Sequence, residues 1–358
     1  MSLKTRFLIF LTLLVTLLAS AACAGAPLQP PQPTATQAAA EMLSTATLRP
    51  PEPTLAPTDA PQPKKAVLVA PSGSDPQLLQ EVQQALAELA APAQMVTETR
   101  ESLQPGDLTA ELAVVIWLAA PANLNELVAA APQTAFVVFS AADLPVGGNL
   151  SVVRLQPEFQ AFVGGFIVAL LSPNWRAAGL LPGDGPLGEG LVNAFVNGGR
   201  YFCGVCAPGW PLGVKYPQTG VLPAAADGVG WQTAAAGLFD VQKVDAYYLA
   251  AEAAKGEVFA YLQGKDQFGV PVRVAGAIQP PVELQNQWAA TVRFDLAAGL
   301  RQVWPDAAAG KGGLTVFAPI AVVNVNPNHL GDGKMRLVRE LLAEIAAGRV
   351  YPFTVPAE

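Results

Sequence analysis

The sequence predicts an α/β protein of two lobes, each a doubly wound, mostly parallel sheet, with a cleft between them. Short apolar runs alternate with amphipathic helical stretches, the pattern of parallel strands joined by crossover helices. The runs are continuously apolar rather than alternating, so both faces of each sheet are covered. Residues 64–358 form a stretch long enough for two cores.

The apolar runs are Ala66 to Ala70, Leu112 to Trp117, Ala135 to Phe139, Ala177 to Leu181, Ala246 to Ala250 and residues 272–277 around Arg273. The first helix follows the first run. Asp75 can cap it, Pro76 suits its first turn, and Leu78, Leu79, Val82, Leu86 and Leu89 share one face. Further helices are expected over 122–131, 157–171, 186–198, 230–239, 253–263, 295–303 and 334–347, the last stopped by Gly348. This order divides into an N-terminal lobe over 64–173, a C-terminal lobe over 174–288, and a segment over 289–358 that crosses back to complete both.

Ahead of the folded region, Lys4 and Arg6 precede an uncharged run from Phe7 to Leu18, apolar except at Thr12 and Thr16, and small residues Ala19 to Ala22. Residues 1–22 therefore read as a secretory signal peptide, with an apolar run well short of the ~20 residues a spanning helix needs. Cys23 stands where bacterial lipoproteins carry their lipid, and the segment before it resembles a lipobox. Ser20 occupies the position where leucine is usual, and Ala19-Ser20-Ala21 would also serve an ordinary signal peptidase. Residues 23–63 hold ten prolines among Ala, Thr and Gln, the composition of a disordered tether. At ~3.1 Å per residue it would extend on the order of 100 Å. The expected location is the cell membrane, lipid-anchored, on the extracytoplasmic side.

The formal charge of −7 becomes more negative once Lys4 and Arg6 leave with the signal peptide. An acidic chain without a Lys/Arg cluster cannot neutralise phosphates, which excludes nucleic acid as a partner and leaves a lipid anchor as the route to a membrane. Cys203 and Cys206 are spaced as CGVC before a Pro/Gly-rich loop, which favours a disulfide in an exported chain. A thioredoxin-like redox pair is the alternative, but that motif opens a helix after a strand.

Gln156 to Ser172 reads QPEFQAFVGGFIVALLS, and Ala177 to Gly199 reads AAGLLPGDGPLGEGLVNAFVNGG. In these segments the chain resembles the basic membrane protein family. Phe162, Gly165 and Ala169 match its first helix, Gly179 to Gly183 its strand, and Phe195 with Gly198 the next helix. Ala289 to Trp304 is similar to the family's later strand and helix. The resemblance implies a type I periplasmic-binding-protein fold and a purine-nucleoside-receptor-like substrate-binding lipoprotein of an ABC importer. The sequence departs from the family at Gln279, where an aspartate usually holds a ribose diol, and at Ser140, where an acidic residue is frequent.

Doubly wound sheets bind ligands beyond the carboxyl ends of their strands. The candidate ligand-binding residues there are Ser72, Ser74 and Asp75 after the first strand, Trp117 at the end of the second, and Ser140 after the third. Asp184, Glu252 and Gln279 hold the corresponding places in the second lobe, and Asp295 reads as a further acceptor. Trp210, Trp231 and Trp288 are weaker candidates for stacking on a ligand. Gly183, Gly185 and Gly188 spell G-x-G-x-x-G, but the acidic residue a dinucleotide site requires ~20 positions on is missing. The only histidine, His329, lies in a polar turn, which speaks against a serine triad or histidine-held metal.

The expectation is a non-catalytic, monomeric receptor without cofactor or metal, closing its lobes on a small polar solute, nucleoside-like or sugar-like, and working with an ABC permease. The alternative is a surface sensory or structural lipoprotein that kept the fold and lost the pocket. A hydrolase would need acid and base groups converging in the cleft.

Overall fold

The structure, a computed structural model, describes residues 63–204, 206, 216–267 and 269–353. Residues 1–22, read above as a signal peptide, Cys23, residues 24–62 of the expected tether and Trp210 lie outside these residues.

Five strands come first: β1 (Lys65–Val69), β2 (Val96–Arg100), β3 (Leu112–Trp117), β4 (Ala135–Ser140) and β5 (Leu150–Arg154). Next are β6 (Ala177–Pro182), β7 (Gln218–Leu222), β8 (Ala246–Leu249), the short pair β9 (Asp266–Gln267) and β10 (Val270–Pro271), then β11 (Arg273–Gly276) and β12 (Trp288–Phe294). The last two are β13 (Thr315–Phe317) and β14 (Ile320–Val323). The helices in chain order are α1 (Pro76–Ala90), α2 (Leu124–Ala130), α3 (Pro157–Leu171), α4 (Glu189–Cys203), α5 (Gly228–Ala236), α6 (Gly256–Leu262), α7 (Leu296–Ala308) and α8 (Asp332–Ala346).

The strands form two six-stranded sheets. One has the order β13-β5-β4-β3-β1-β2 and is parallel throughout. The other has the order β14-β12-β11-β8-β6-β7 and is parallel except for the edge strand β14, which runs antiparallel to β12 with Phe294 opposite Ile320. Each sheet is covered on both faces, as the continuous apolar runs require. In the first, Leu68, Ile116, Val137 and Phe139 pack under α1 and α7, while their neighbours Val67, Val115, Trp117 and Val138 pack under α2. In the second, Leu181, Ala246 and Tyr248 face α3, α4 and α8, and Leu180, Tyr247 and Leu249 face α5 and α6. Each fully buried Val, Leu or Phe contributes roughly 1.5–3 kcal/mol.

Local signals in the sequence set several helix ends. Asp75 caps α1 by accepting from the Gln77 and Leu78 amides at 2.9 and 3.0 Å. Gly348, at φ +68°, ends α8 in a Schellman motif: its amide donates to the Ile345 carbonyl and that of Arg349 to Glu344. By contrast α7 runs through Pro305 to Ala308, because buried Trp304 and Ala307 anchor its last turn to the first lobe's core.

The glycines that carry the family resemblance form one seam. A Cβ on Gly165 would overlap the Phe195 carbonyl oxygen, and one on Gly198 the Phe162 carbonyl oxygen, so α3 and α4 touch backbone to backbone. Gly179 admits the Phe195 ring, which would stand 2.7 Å from a Cβ there.

The chain passes between the lobes three times: at Leu155–Gln156 into α3, at Asp295 into α7, and at Ala318–Pro319 into β14. These crossings are tied together, since the Asp295 amide donates to the Pro319 carbonyl at 2.8 Å and the Ala318 amide to Arg154 at 3.0 Å. Three short parallel connectors restrict the lobes to a hinge motion.

Candidate functional site

A cavity of about 290 Å³ lies between the lobes, beside the crossings and at the carboxyl ends of the sheet strands. From the first lobe come Leu78 on α1, Leu118 just after β3, and Leu296 at the start of α7. From the second come Gln160 and Ala161 on α3, Leu181 near the end of β6, Leu191 on α4, Tyr248, Ala250, Ala251 and Glu252 around the end of β8, Ala277 after β11, and Arg293 and Phe294 ending β12. Most of the wall is aliphatic; its charged or amide side chains are Gln160, Glu252 and Arg293.

The Arg293 side chain is 14% accessible. Its Nη2 lies 2.7 and 2.5 Å from the two carboxylate oxygens of Glu81 on α1, so the pair joins the second sheet to the first lobe. Gln77 Nε2 donates to the same carboxylate at 3.1 Å. Nε and Nη1 of Arg293 are closed off from solvent, and among the described residues neither has a hydrogen-bond partner. Gln160 Nε2 donates to the Val292 carbonyl at 2.8 Å, fixing α3 against β12. Burial pushes the Tyr248 hydroxyl well above its ordinary pKa, and the negative charge of Glu252 adds to this, so the phenol stays protonated in the cavity wall.

Of the eight ligand-binding residues expected from sequence, Glu252 lines this cavity. The others are placed elsewhere. Ser72 is exposed, Ser74 Oγ donates to the Pro71 carbonyl within the same turn, and Asp75 is the α1 cap. Trp117 is 2% exposed and stacks on Phe136 with centroids 5.3 Å apart in the core beneath α2. Ser140 closes a tight turn through its hydroxyl and the Ala142 backbone. Asp184 accepts from the Ala224 amide at 2.7 Å, joining the loops after β6 and β7. Gln279 accepts from Asn324 at 2.7 Å. Asp295 caps α7 through the Ala298 amide, and Trp231 and Trp288 are buried in the second lobe. His329 Nε2 lies 2.8 Å from the Asn286 carbonyl. Cys203 and Cys206 have Cα atoms 5.6 Å apart and are joined as a disulfide at the end of α4.

Sequence reasoning did not reach Arg293, Gln160 or Tyr248. A signal for the first existed: Arg293 is a charged residue inside the apolar strand ATVRF, next to the strand's carboxyl end. Among the described residues no group of three or more His, Cys, Asp or Glu could hold a metal ion.

Two parallel-sheet lobes, three crossings and an interlobe cavity define the architecture of two-lobed periplasmic binding proteins. No protein-family model and no curated protein matches the chain. Solved structures do. An ABC-transporter solute-binding protein from Conexibacter woesei is similar at 14% identity and a TM-score of 0.59, over 81% of this chain and 98% of that one. A second, from Aeropyrum pernix, is similar at 15% and 0.54, over 83% and 94%. An arabinose-binding protein from Geobacillus stearothermophilus is similar at 15% and 0.52, over 73% and 97%. At these identities the likeness is one of fold.

Proposed function

We propose that this chain is an extracytoplasmic solute receptor, anchored by lipid on Cys23 and held off the membrane by its proline-rich tether, which closes on a small polar solute and presents it to an ABC permease. Membership of the basic membrane protein family, a monomeric state and action without a cofactor are part of the same reading. The observation that carries it is the interlobe cavity at the strand ends, beside three crossings and lined by Arg293, which pairs with Glu81 of the other lobe. A receptor needs a guest site that both lobes complete and a hinge that lets the guest in, and this arrangement supplies both. The solved relatives named as solute-binding and arabinose-binding proteins support the reading through their fold.

The pocketless surface module would have a filled cleft, and a cavity of about 290 Å³ favours the receptor. Thermal-shift screening of the purified chain against nucleosides, sugars, amines and amino acids tests the proposal. At least one class is expected to raise the melting temperature in proportion to its occupancy. Silence across all four, with unchanged small-angle scattering, would count against it. Globomycin-sensitive processing or palmitate labelling, lost on Cys23→Ala, tests the anchor.

A further inference from the structure

The charged residues that line the interlobe cavity are Arg293 and Glu252, and they differ in what the protein has already done with them. Arg293 is spent: Glu81 takes its Nη2, and its Nε and Nη1 are closed off from solvent. Glu252 is not. It stands just past the end of β8, partly exposed, and among the described residues nothing pairs with its carboxylate. Its charge is felt at the Tyr248 hydroxyl in the same wall, where it helps to keep the phenol protonated. Since the Arg293–Glu81 pair is neutral as a unit, the wall carries one net negative charge, and that charge sits on Glu252.

In the open cleft, water solvates this carboxylate. Closure on a guest drives the water out and leaves an ionised group in a wall made largely of Leu78, Leu118, Leu155, Leu181, Leu191 and Leu296, where an unpaired charge is costly. The guest must then bring the counter-charge. Gln160 cannot supply it, and its Nε2 is already given to the Val292 carbonyl, so what that amide has left is an acceptor. An anion would add to the charge, a zwitterion would bring a carboxylate that no unspent cation of the wall can meet, and a sugar would set its hydroxyls against leucines. A hard metal ion needs several oxygen ligands, and a single carboxylate among aliphatic side chains does not provide them.

We propose that the guest is an organic monocation, its ammonium head donating to Glu252 and its apolar body lying among the leucines. The cavity volume of about 290 Å³ is near the lower end of the ~300–1,000 Å³ typical of small-molecule sites and suits a small amine of this kind. The inference rests on the receptor reading and names the class of solute that the receptor takes.

Calorimetric titration of the full chain at neutral pH tests it with two amines and their neutral isosteres, isoamylamine against 3-methylbutan-1-ol and phenethylamine against 2-phenylethanol, together with 4-methylpentanoate, arabinose and adenosine. At least one amine is expected to bind, with its alcohol about tenfold to a hundredfold weaker, the usual worth of a charged hydrogen bond. The carboxylate should be weaker than the alcohol. Glu252→Gln, at a partly exposed site outside the packed core, should weaken the amine by a similar factor and bring amine and alcohol close to parity. Glu252→Asp should restore part of the preference. Equal affinity of amine and alcohol for the parent would overturn the inference without any variant, and so would amine binding that Glu252→Gln leaves unchanged. Arabinose, adenosine or the carboxylate binding while both amines stay silent would overturn it and leave the receptor standing. Silence of all seven would overturn both.

Discussion

The two walls of the cavity are built from the same kind of strand end yet serve different ends. In the first lobe the polar residues that follow β1 and β4 are consumed locally: Ser74 and Ser140 close turns and Asp75 caps a helix. What remains to face the guest is aliphatic, Leu78 and Leu118. In the second lobe Arg293 and Glu252, at or just past strand ends, line the cavity. A polar residue at a strand's carboxyl end is thus a ligand group only if the backbone around it is already satisfied. Buried amides and helix starts have the first claim, because each unpaired group costs about as much as a lost hydrogen bond.

The largest expected effects would break this contrast at its base. Trp117 ends a strand beside the cleft but packs into the core, so Trp117→Ala should cost about 3–5 kcal/mol of stability in urea unfolding. The conservative Trp117→Phe should leave the affinity for whichever solute raises the melting temperature within twofold. A loss of affinity without a loss of stability would mean that the indole reaches the guest. In the second lobe, Gly198→Ala drives a methyl group into the Phe162 carbonyl and should destabilise by ~1–3 kcal/mol or more, since neither backbone can withdraw from the α3–α4 seam. A smaller cost would show that the helices can part.

Next in size is the cap. Asp75→Ala should cost about 1 kcal/mol, the usual value for losing an N-cap, and leave ligand titration unchanged. If the same substitution weakened binding tenfold, the first lobe's polar turn would belong to the site after all.

Most interior strands were legible in the sequence and the edge strands were not, for a physical reason, although interior β5 (LSVVR), with a serine and an arginine among its apolar residues, also went unread. β1, β3, β4, β6, β8 and β11 are apolar on both faces because both faces are covered. β2 (VTETR), β7 (QTGVL) and β13 (TVF) lie at or near sheet edges, where solvent admits Thr, Glu and Arg and the apolar run disappears. The alternation of strand and helix still fixed the fold class. The site was harder to read because its groups come from α3, β8 and β12, far apart in sequence, and because sequence position alone does not say which polar side chains the backbone has claimed. The seam glycines were visible through the family resemblance, and they report helix packing rather than ligand chemistry.

The smallest effect bears on how the walls meet. Glu81 and cavity-lining Arg293 join the lobes, with side chains 38% and 14% exposed. A pair so placed is partly screened, and Glu81→Gln should cost no more than ~1 kcal/mol of global stability. Its effect on shape should be larger than its effect on stability, because the pair is a contact between lobes that the hinge can break without unfolding either one. Small-angle scattering of the unliganded variant is therefore expected to show a larger radius of gyration than the parent, and raised salt should move the parent in the same direction. Unchanged scattering in both experiments would mean that the three crossings alone set the angle between the lobes. The contrast between the walls would then concern ligand chemistry only and have no part in closure.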